Sequence, residues 1–310
     1  MLNLVFFVFA LIVTLKAADA ATQYASTFAQ ALRLSRYTVG VILVAMLSVM
    51  PETLVSISSA VQGQPLLGFG TLLGSNVADL TLILGIVVLF AKKKMTVEKG
   101  VLKASIFYIL LIGVPVLLAF DGHVSRIDGF ALVAAGLAFI YAMTLKEKSK
   151  VMNAEARFSV HHISGLILNI GLLLIGSYFT VHYAINFAQF LNIDPLVMGL
   201  FVIGLGTTLP EFTFALRAVR KGQNNLAFGD ILGTVVIDAT LIIGIVALIA
   251  PFDVPMKLVY ISGNAMALAG MVTFYFLNSE RTLSKLEGVA LILFYIVFAC
   301  AEIMTLTSFN

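Results

Sequence analysis

The chain has 310 residues, of which 60% are apolar and only 11% are charged, and its formal net charge at pH 7 is +3. About 25% charged residues are usual in globular domains, so this chain has too little polar surface to coat a soluble body of its size. The composition therefore excludes a water-soluble fold and predicts an all-α polytopic membrane protein with no sizeable domain outside the bilayer.

Ten apolar stretches follow one another along the chain, and we interpret each as a transmembrane helix. They cover residues 3–31, 38–61, 66–91, 101–119, 126–145, 163–190, 196–219, 226–250, 256–277 and 286–306. The first stretch is interpreted as helix one and not as a cleaved signal peptide, because no basic residue precedes it.

The distribution of Lys and Arg predicts how the helices are oriented. With the N-terminus outside, 16 of these residues fall in the inner loops, and only Arg126 and Lys257 fall in the outer loops. The positive-inside rule then places both termini outside. Short loops favour the plasma (inner) membrane of a prokaryote. Because topology explains the basic residues, they do not imply a nucleic-acid partner.

An internal repeat with an offset of 159 residues divides the chain. Residues 40–91 placed over 199–250 without a gap give 20 identities in 52 columns. The predicted organisation is a first five-helix repeat over 1–145, a cytoplasmic linker loop over 146–160 and a second five-helix repeat over 161–310. Because five is odd, the second copy must enter the membrane in the opposite direction, which gives the inverted repeat typical of secondary transporters.

Four acidic residues fall within the predicted helices, where each ionised side chain costs about 2.5–3.5 kcal/mol on insertion scales. They are Glu52, Asp79, Glu211 and Asp238, and the residues four positions earlier are Ser48, Ser75, Thr207 and Thr234. Positions i and i+4 share one helical face, so four helices present pairs of oxygen atoms to a common centre. Oxygen ligands of this kind suit Na⁺, Ca²⁺ or K⁺.

A proline precedes each glutamate, namely Pro51 and Pro210. Proline has no amide donor for the carbonyl group four residues back, so broken helices with exposed carbonyl oxygens are expected at mid-membrane. Two further acids, Asp230 and Glu302, lie nearer the predicted helix ends, and we expect them at the membrane interface. The first copy has Thr71 where the second has Asp230.

The segments Ser48-Val-Met-Pro-Glu52, Gly74-Ser-Asn-Val-Ala-Asp79, Gly206-Thr-Thr-Leu-Pro-Glu211 and Gly233-Thr-Val-Val-Ile-Asp238 resemble the paired motifs of the calcium/cation antiporter superfamily. The chain is most similar to its prokaryotic sodium/calcium exchangers. The resemblance implies that Glu52 and Glu211 are central Ca²⁺ ligands and that Ser48 and Thr207 are neighbouring donors. For Na⁺ it implies Ser75, Thr208, Thr234 and Asp238, with the backbone carbonyls of Ala45 and Gly204. It also implies that helices one and six slide across the core.

Three departures from that pattern leave the coupling ion open. Leu47 and Val49 replace a glycine and a hydroxyl residue, and Val235 replaces a common asparagine. Asp79 stands where an asparagine is frequent, so the pocket has four acids instead of three. Like charges this close cannot all ionise cheaply, so either an additional cation binds or one acid keeps a proton. K⁺-dependent or H⁺-coupled exchange therefore remains an alternative.

The sequence as a whole predicts a secondary antiporter that exchanges Ca²⁺, or a related cation, for Na⁺ by alternating access. We expect a monomer that is not an enzyme and has no cofactor, and no phosphate-binding Gly-x-x-x-x-Gly-Lys-Ser/Thr motif implies a nucleotide. A channel is one rival interpretation. An intramembrane aspartyl protease, with Asp79 and Asp238 as its dyad, is another. The Tyr-Asp and Gly-x-Gly-Asp signatures of such proteases are missing.

Overall fold

The computed structural model describes residues 2–31, 49–91, 95–96, 105–145, 160–191, 193–280 and 282–307. In the first half of the chain the elements are α1 (Leu2–Ala31), α2 (Met50–Val61), α3 (Pro65–Phe90), β1 (Met95–Thr96), α4 (Ser105–Leu118), β2 (His123–Val124) and α5 (Arg126–Leu145). A short 3₁₀ turn, Ala119–Asp121, extends α4.

The second half contains the corresponding elements. They are α6 (Val160–Leu191), α7 (Pro195–Val197, Met198–Ile203 and Gly204–Thr207), α8 (Leu209–Arg220), α9 (Asn224–Ile249), β3 (Phe252–Asp253), α10 (Met256–Leu258, Val259–Gly263 and Asn264–Glu280), β4 (Thr282–Leu283) and α11 (Lys285–Thr307). Helices α7 and α8 are the two parts of one predicted helix, separated at Thr208.

The predicted helical character is confirmed in the described residues, and each apolar stretch contains a helix there. Among these residues, seven helices are long and apolar enough to cross a membrane. They are Asn3–Ala21, Pro65–Phe90, Ile163–Leu191, Pro195–Arg220, Asn224–Ile249, Met256–Asn278 and Lys285–Met304. A shorter apolar helix covers Ile106–Asp121. The total of ten spans stays a prediction, since the described parts of α2, α4 and α5 are not among the seven.

Local structure repeats with the same offset as the sequence. Helix α3 widens into a π-helical turn at Asp79–Ile83, and α9 does so at Asp238–Ile242, 159 residues later. In these turns the hydroxyl of Thr81 donates to the carbonyl of Val77, and the hydroxyl of Thr240 donates to that of Val236. Such single π turns inside α-helices occur frequently at functional sites.

Contacts between the two halves are reciprocal. Strand β1 pairs with β4, and β2 pairs with β3, so each short sheet takes one strand from each half. Helix α3 meets α11 where a Cβ on Gly85 would lie 2.6 Å from the carbonyl oxygen of Gly288. Helix α9 meets α5 where a Cβ on Gly244 would lie 2.8 Å from the carbonyl oxygen of Gly129. Positions 85 and 244, and 129 and 288, are equivalent in the sequence repeat, so each half makes the same glycine contact with the other.

Helices α5 and α11 begin with the same capping arrangement. The Ser125 hydroxyl donates to the Asp128 carboxylate at 2.6 Å, and the Ser284 hydroxyl donates to that of Glu287 at 2.8 Å. In both cases the backbone N–H of the serine also donates to the same carboxylate oxygen. These bonds satisfy backbone N–H groups that have no partner within the first turn of a helix, which explains why the two helices begin where they do.

Helices α3 and α9 form the centre of the structure, whereas α1 and α6 lie together at its periphery. In the centre nearly every residue from Leu67 to Thr81 is buried. Between α1 and α6 the hydroxyls of Thr14 and Thr180 are 3.2 Å apart. The buried face of α1 combines Phe7 and Thr14 with the small residues Ala10, Ala17, Ala18 and Ala21.

Glycines bring α3 and α7 into direct backbone contact. A Cβ on Gly74 would lie 2.0 Å from the carbonyl oxygen of Leu200, and a Cβ on Gly199 would lie 2.3 Å from that of Leu67. On α7, a Cβ on Gly204 would meet the backbone nitrogen of Ser75 at 3.1 Å. Small residues at helix contacts are the usual means of close packing in membranes. Here they place the end of α7 against the part of α3 that carries Ser75 and Asp79.

We expect the substitution Gly74→Ala to destabilise the protein by about 1–3 kcal/mol, because the added methyl group overlaps a backbone atom that cannot move independently. The matched control is Gly113→Ala, since a Cβ at Gly113 has no described atom within 4 Å. Thermal unfolding in detergent, followed by size-exclusion chromatography, measures the difference. Equal melting temperatures for the two variants would contradict the close contact of α3 with α7.

Candidate cation site

Four acidic side chains that the sequence places in the membrane lie inside the protein. Glu52 is in the first turn of α2, and Glu211 is in the first turn of α8. Asp79 and Asp238 begin the π turns of α3 and α9. All four are no more than 1% exposed. The two halves of the chain therefore each contribute one glutamate and one aspartate from equivalent positions.

The four acids lie close enough to interact electrostatically with one another. Glu52 interacts with Asp238 and Asp79, and Glu211 interacts with Glu52 and Asp79. Asp79 also interacts with Asp238. None of their eight carboxylate oxygens has a hydrogen-bond partner among the described residues. Unpartnered carboxylates deep inside a protein are costly, and a bound cation removes that cost.

Hydroxyl groups lie beside these carboxylates, and their protons are already donated elsewhere. Thr207 is next to Glu52, and Ser75 is next to Asp238. The Thr207 hydroxyl donates to the Ile203 carbonyl at 3.0 Å, and the Ser75 hydroxyl donates to that of Leu72 at 3.1 Å. A hydroxyl that has donated its proton to its own helix keeps its lone pairs for an acceptor role. These oxygens are thus available to a cation.

The helix break before Glu211 brings a helix end to the site. Helix α7 ends at Thr207, the chain turns at Thr208, and α8 begins with Pro210 in its first turn. The hydroxyl of Thr208 donates to the Leu205 carbonyl at 3.0 Å, and the Gly204 carbonyl accepts the amide of Thr208 at 3.3 Å. The partial negative charge at the end of a helix favours a cation at such a break.

The remaining residues that were expected to bind ions have different outcomes. Thr234 is buried on α9, and its hydroxyl has no hydrogen-bond partner within the described ranges. Ala45 and Ser48 lie outside the described residues. Val49, which is equivalent to Thr208, is 1% exposed and has no side-chain oxygen, as the sequence indicated.

The carboxylates do not form a closed metal cage by themselves. Within the part of the chain that the structure describes, no three Asp, Glu, His or Cys side chains form a group that could hold a metal ion. Hydroxyl and carbonyl oxygens would have to supply the other ligands, as hard cations such as Ca²⁺ and Na⁺ readily allow. The single cysteine, Cys300, is exposed and takes no part.

Two acids are less exposed than the sequence indicated, and one buried polar residue was not predicted. Asp230 and Glu302, which we expected at the membrane interface, are only 5% and 3% exposed. Asp230 interacts electrostatically with Asp79 and Glu211, so it belongs to the same acidic group. The position of Asp230 four residues before Thr234 was the signal that could have revealed it. Asn76, which we did not predict as a ligand, is buried, and its side-chain oxygen has no partner in the described part of the chain.

The chain matches a known protein family along most of its length. A family described as "Sodium/calcium exchanger protein" matches residues 2–145 and 161–304. The inner membrane protein YrbG of Escherichia coli is 29% identical over 297 residues, which cover 91% of this chain and 90% of that protein.

Solved structures share the fold. The structure of the sodium-calcium exchanger NCX_Mj with Na⁺ and Sr²⁺ has a TM-score of 0.70 at 20% identity, covering 96% of this chain and 98% of that chain. The structure of the H⁺/Ca²⁺ exchanger CAX has a TM-score of 0.81 at 18% identity, covering 95% of this chain and 81% of that chain. At these identities the likeness concerns the fold alone.

We expect Glu52→Gln and Glu211→Gln each to weaken equilibrium Ca²⁺ binding by about tenfold or more, because each removes one negative charge from a buried site. Binding of ⁴⁵Ca²⁺ to the purified protein in detergent measures the affinity. The control is Asp19→Asn, since Asp19 is exposed on α1 and accepts a 3.4 Å hydrogen bond from Gln23, which is on the same helix. Unchanged affinity in either glutamate variant would remove that residue from the site.

Proposed function

The chain belongs to the sodium/calcium exchanger protein family, and we propose that it is a secondary antiporter that exchanges Ca²⁺, or a related cation, for Na⁺. One observation carries the proposal. Four buried carboxylates, two from each half of the chain, lie together without a hydrogen-bond partner in the described residues. Placing these acids inside membrane-spanning helices costs several kcal/mol of insertion free energy. A cation-binding site in the middle of the membrane would account for that cost.

In this proposal Glu52 and Glu211 hold the divalent cation, and the hydroxyls of Ser48 and Thr207 assist. Na⁺ would use Ser75, Thr208, Thr234 and Asp238 with the carbonyls of Ala45 and Gly204, and Asp79 would set the charge of the pocket. Overlapping ligand sets make exchange possible, because Ca²⁺ and Na⁺ compete for the same negative charge. The gradient of one ion can therefore move the other without ATP.

The transport cycle that we propose is alternating access by ten transmembrane helices in two inverted five-helix repeats. The repeats would cover 1–145 and 161–310, joined by the cytoplasmic loop 146–160. Reciprocal pairing of β1 with β4 and of β2 with β3 supports an axis that relates the two halves. Helices α1 and α6, which lie together at the periphery, would move along the core. A monomer in the inner membrane, with both termini outside, completes the arrangement.

H⁺-coupled or K⁺-dependent exchange is the second candidate, and two features favour it. Asp79 adds a fourth buried acid, and Val49 supplies no oxygen where the second half has Thr208. The extra negative charge and the missing neutral oxygen ligand favour a proton or an additional monovalent cation over Na⁺ bound by its expected ligands.

Ion-gradient experiments in proteoliposomes distinguish these candidates. Vesicles are preloaded with Na⁺, with K⁺ or at acid pH. They are then diluted into a neutral medium that contains ⁴⁵Ca²⁺ but not the preloaded ion, so that an outward gradient of that ion forms. We expect saturable Ca²⁺ uptake driven by the Na⁺ gradient, and none in vesicles made with Glu211→Gln protein. Uptake driven only by K⁺ or H⁺ would assign the second candidate, and uptake that is independent of any counter-ion would indicate a channel.

Asp79→Asn tests the source of the coupling preference. The substitution keeps the volume of the side chain but removes one charge, so we expect the dependence of Ca²⁺ uptake on K⁺ or on pH to change while exchange itself persists. The measurement is the initial rate of ⁴⁵Ca²⁺ uptake across a series of internal K⁺ concentrations and pH values. Profiles that superimpose on those of the unmodified protein would show that Asp79 does not set the coupling ion.

A further inference from the structure

Asp230 forms the end of a row of oxygen-bearing side chains on α9. The row consists of Asp230, Thr234 and Asp238, each four residues from the next, which places them along one side of the helix. All three are buried, with Asp230 only 5% exposed. Eight residues of helix correspond to about 12 Å, so the row extends from the proposed central site toward the start of α9.

Asp230 lies near other buried carboxylates, whose negative charge a bound cation would neutralise. Asp230 interacts electrostatically with Asp79 on α3 and with Glu211 on α8, so three helices contribute acids to this region. Asp79 and Glu211 are both 0% exposed, and none of their carboxylate oxygens has a hydrogen-bond partner among the described residues. The side-chain oxygen of Asn76, on the same part of α3 as Asp79, is likewise unpartnered in the described chain. Deeply buried oxygens without donors are a favourable environment for a cation.

The repeat shows that this acid is found on one side of the site only. The equivalent of Asp230 in the first half is Thr71, which is 0% exposed. Its hydroxyl donates to the carbonyl of Leu67 at 2.9 Å, so its own helix satisfies it. The Glu and Asp positions of the central site are matched between the halves, whereas position 230 has a charge that position 71 lacks. A charge that is found in only one copy of the repeat makes the electrostatic environment of a cation differ between the two faces of the protein.

Basic residues on the nearby protein surface indicate a role for the carboxylate of Asp230. Arg217, Arg220 and Lys221 are exposed at the end of α8, just before α9 begins. A cation that approaches the central site from this end meets their positive charge first. A carboxylate between that rim and Asp79 lowers the electrostatic barrier, and at an effective dielectric constant near 20 one charge at roughly 10 Å changes a divalent affinity by more than tenfold.

Building on the proposed function, we propose that Asp230 and Asp79 form an accessory cation site that Ca²⁺ occupies on its way between the central site and the face of the protein that carries Arg220 and Lys221. This accessory site serves one face only. It raises the apparent Ca²⁺ affinity at that face and makes the exchanger asymmetric, although its two halves descend from one repeated unit.

The test measures apparent Ca²⁺ affinity separately at the two faces, in right-side-out and everted membrane vesicles. The variants are Asp230→Thr, which installs the residue of the first half, Asp230→Asn, which keeps the side-chain volume, and the reciprocal Thr71→Asp. Labelling of Lys221→Cys with an impermeant maleimide, in a Cys300→Ser background, identifies the face that carries the basic residues.

For both Asp230 variants we expect the half-saturating Ca²⁺ concentration to rise about tenfold at the Lys221 face and less than about twofold at the other face. For Thr71→Asp we expect the half-saturating concentration to fall at the opposite face. An equal change at both faces would overturn the proposal, because a purely structural role of Asp230 would affect both, and so would no change at either face.

A second readout separates this proposal from the exchange function. Equilibrium ⁴⁵Ca²⁺ binding to the purified protein is compared between the unmodified chain and Asp230→Thr. Unmodified protein that binds Ca²⁺ but does not exchange it would refute the proposed function, and the binding comparison would still decide the role of Asp230. We expect the variant to bind fewer or weaker Ca²⁺ ions, and identical binding curves would overturn the accessory site.

Discussion

Burial of uncompensated negative charge is the constraint on which the rest of this structure depends. Four carboxylates are at most 1% exposed and have no hydrogen-bond partner among the described residues. In a membrane such groups are stable only when a bound cation or a proton neutralises them. The broken helix before Glu211, the π turns that begin at Asp79 and Asp238, and the hydroxyls turned back onto their own helices all leave oxygen lone pairs available in that region.

The charged centre in turn requires the helices around it to pack closely, because a loose packing would admit lipid or disordered water beside the acids. Glycine provides this at the contact of α3 with α7, where a Cβ on Gly74 would lie 2.0 Å from a backbone oxygen. The same is seen where α3 meets α11 and α9 meets α5. In contrast, α1 and α6, which are the helices proposed to move, contact each other at the periphery, where the hydroxyls of Thr14 and Thr180 are 3.2 Å apart.

The sequence predicted the positions of the helices and of the four acids well, for identifiable reasons. Apolar length and the 159-residue repeat are long-range signals that local packing does not override, and the repeat marked Glu52 with Glu211 and Asp79 with Asp238 as pairs. Asp230 was placed wrongly at the interface, because its closeness to a helix end outweighed its spacing from Thr234. The π turns were not predicted, because helical periodicity and residue type do not specify a local widening of the backbone hydrogen bonding.

Duplication accounts for the matched acids of the two halves, but not for which ions the proposed site would use. Two copies of one unit about an axis generate matched oxygen ligands on either side of the centre, and such a site would treat both faces and both halves alike. The differences between the copies must therefore carry the specificity. Val49 opposite Thr208 removes a neutral ligand, and Thr71 opposite Asp230 confines an additional charge to one side. A site whose central carboxylates are symmetric and whose surrounding residues are asymmetric can bind the same ion from both faces of the membrane. It can still favour entry of that ion from one face.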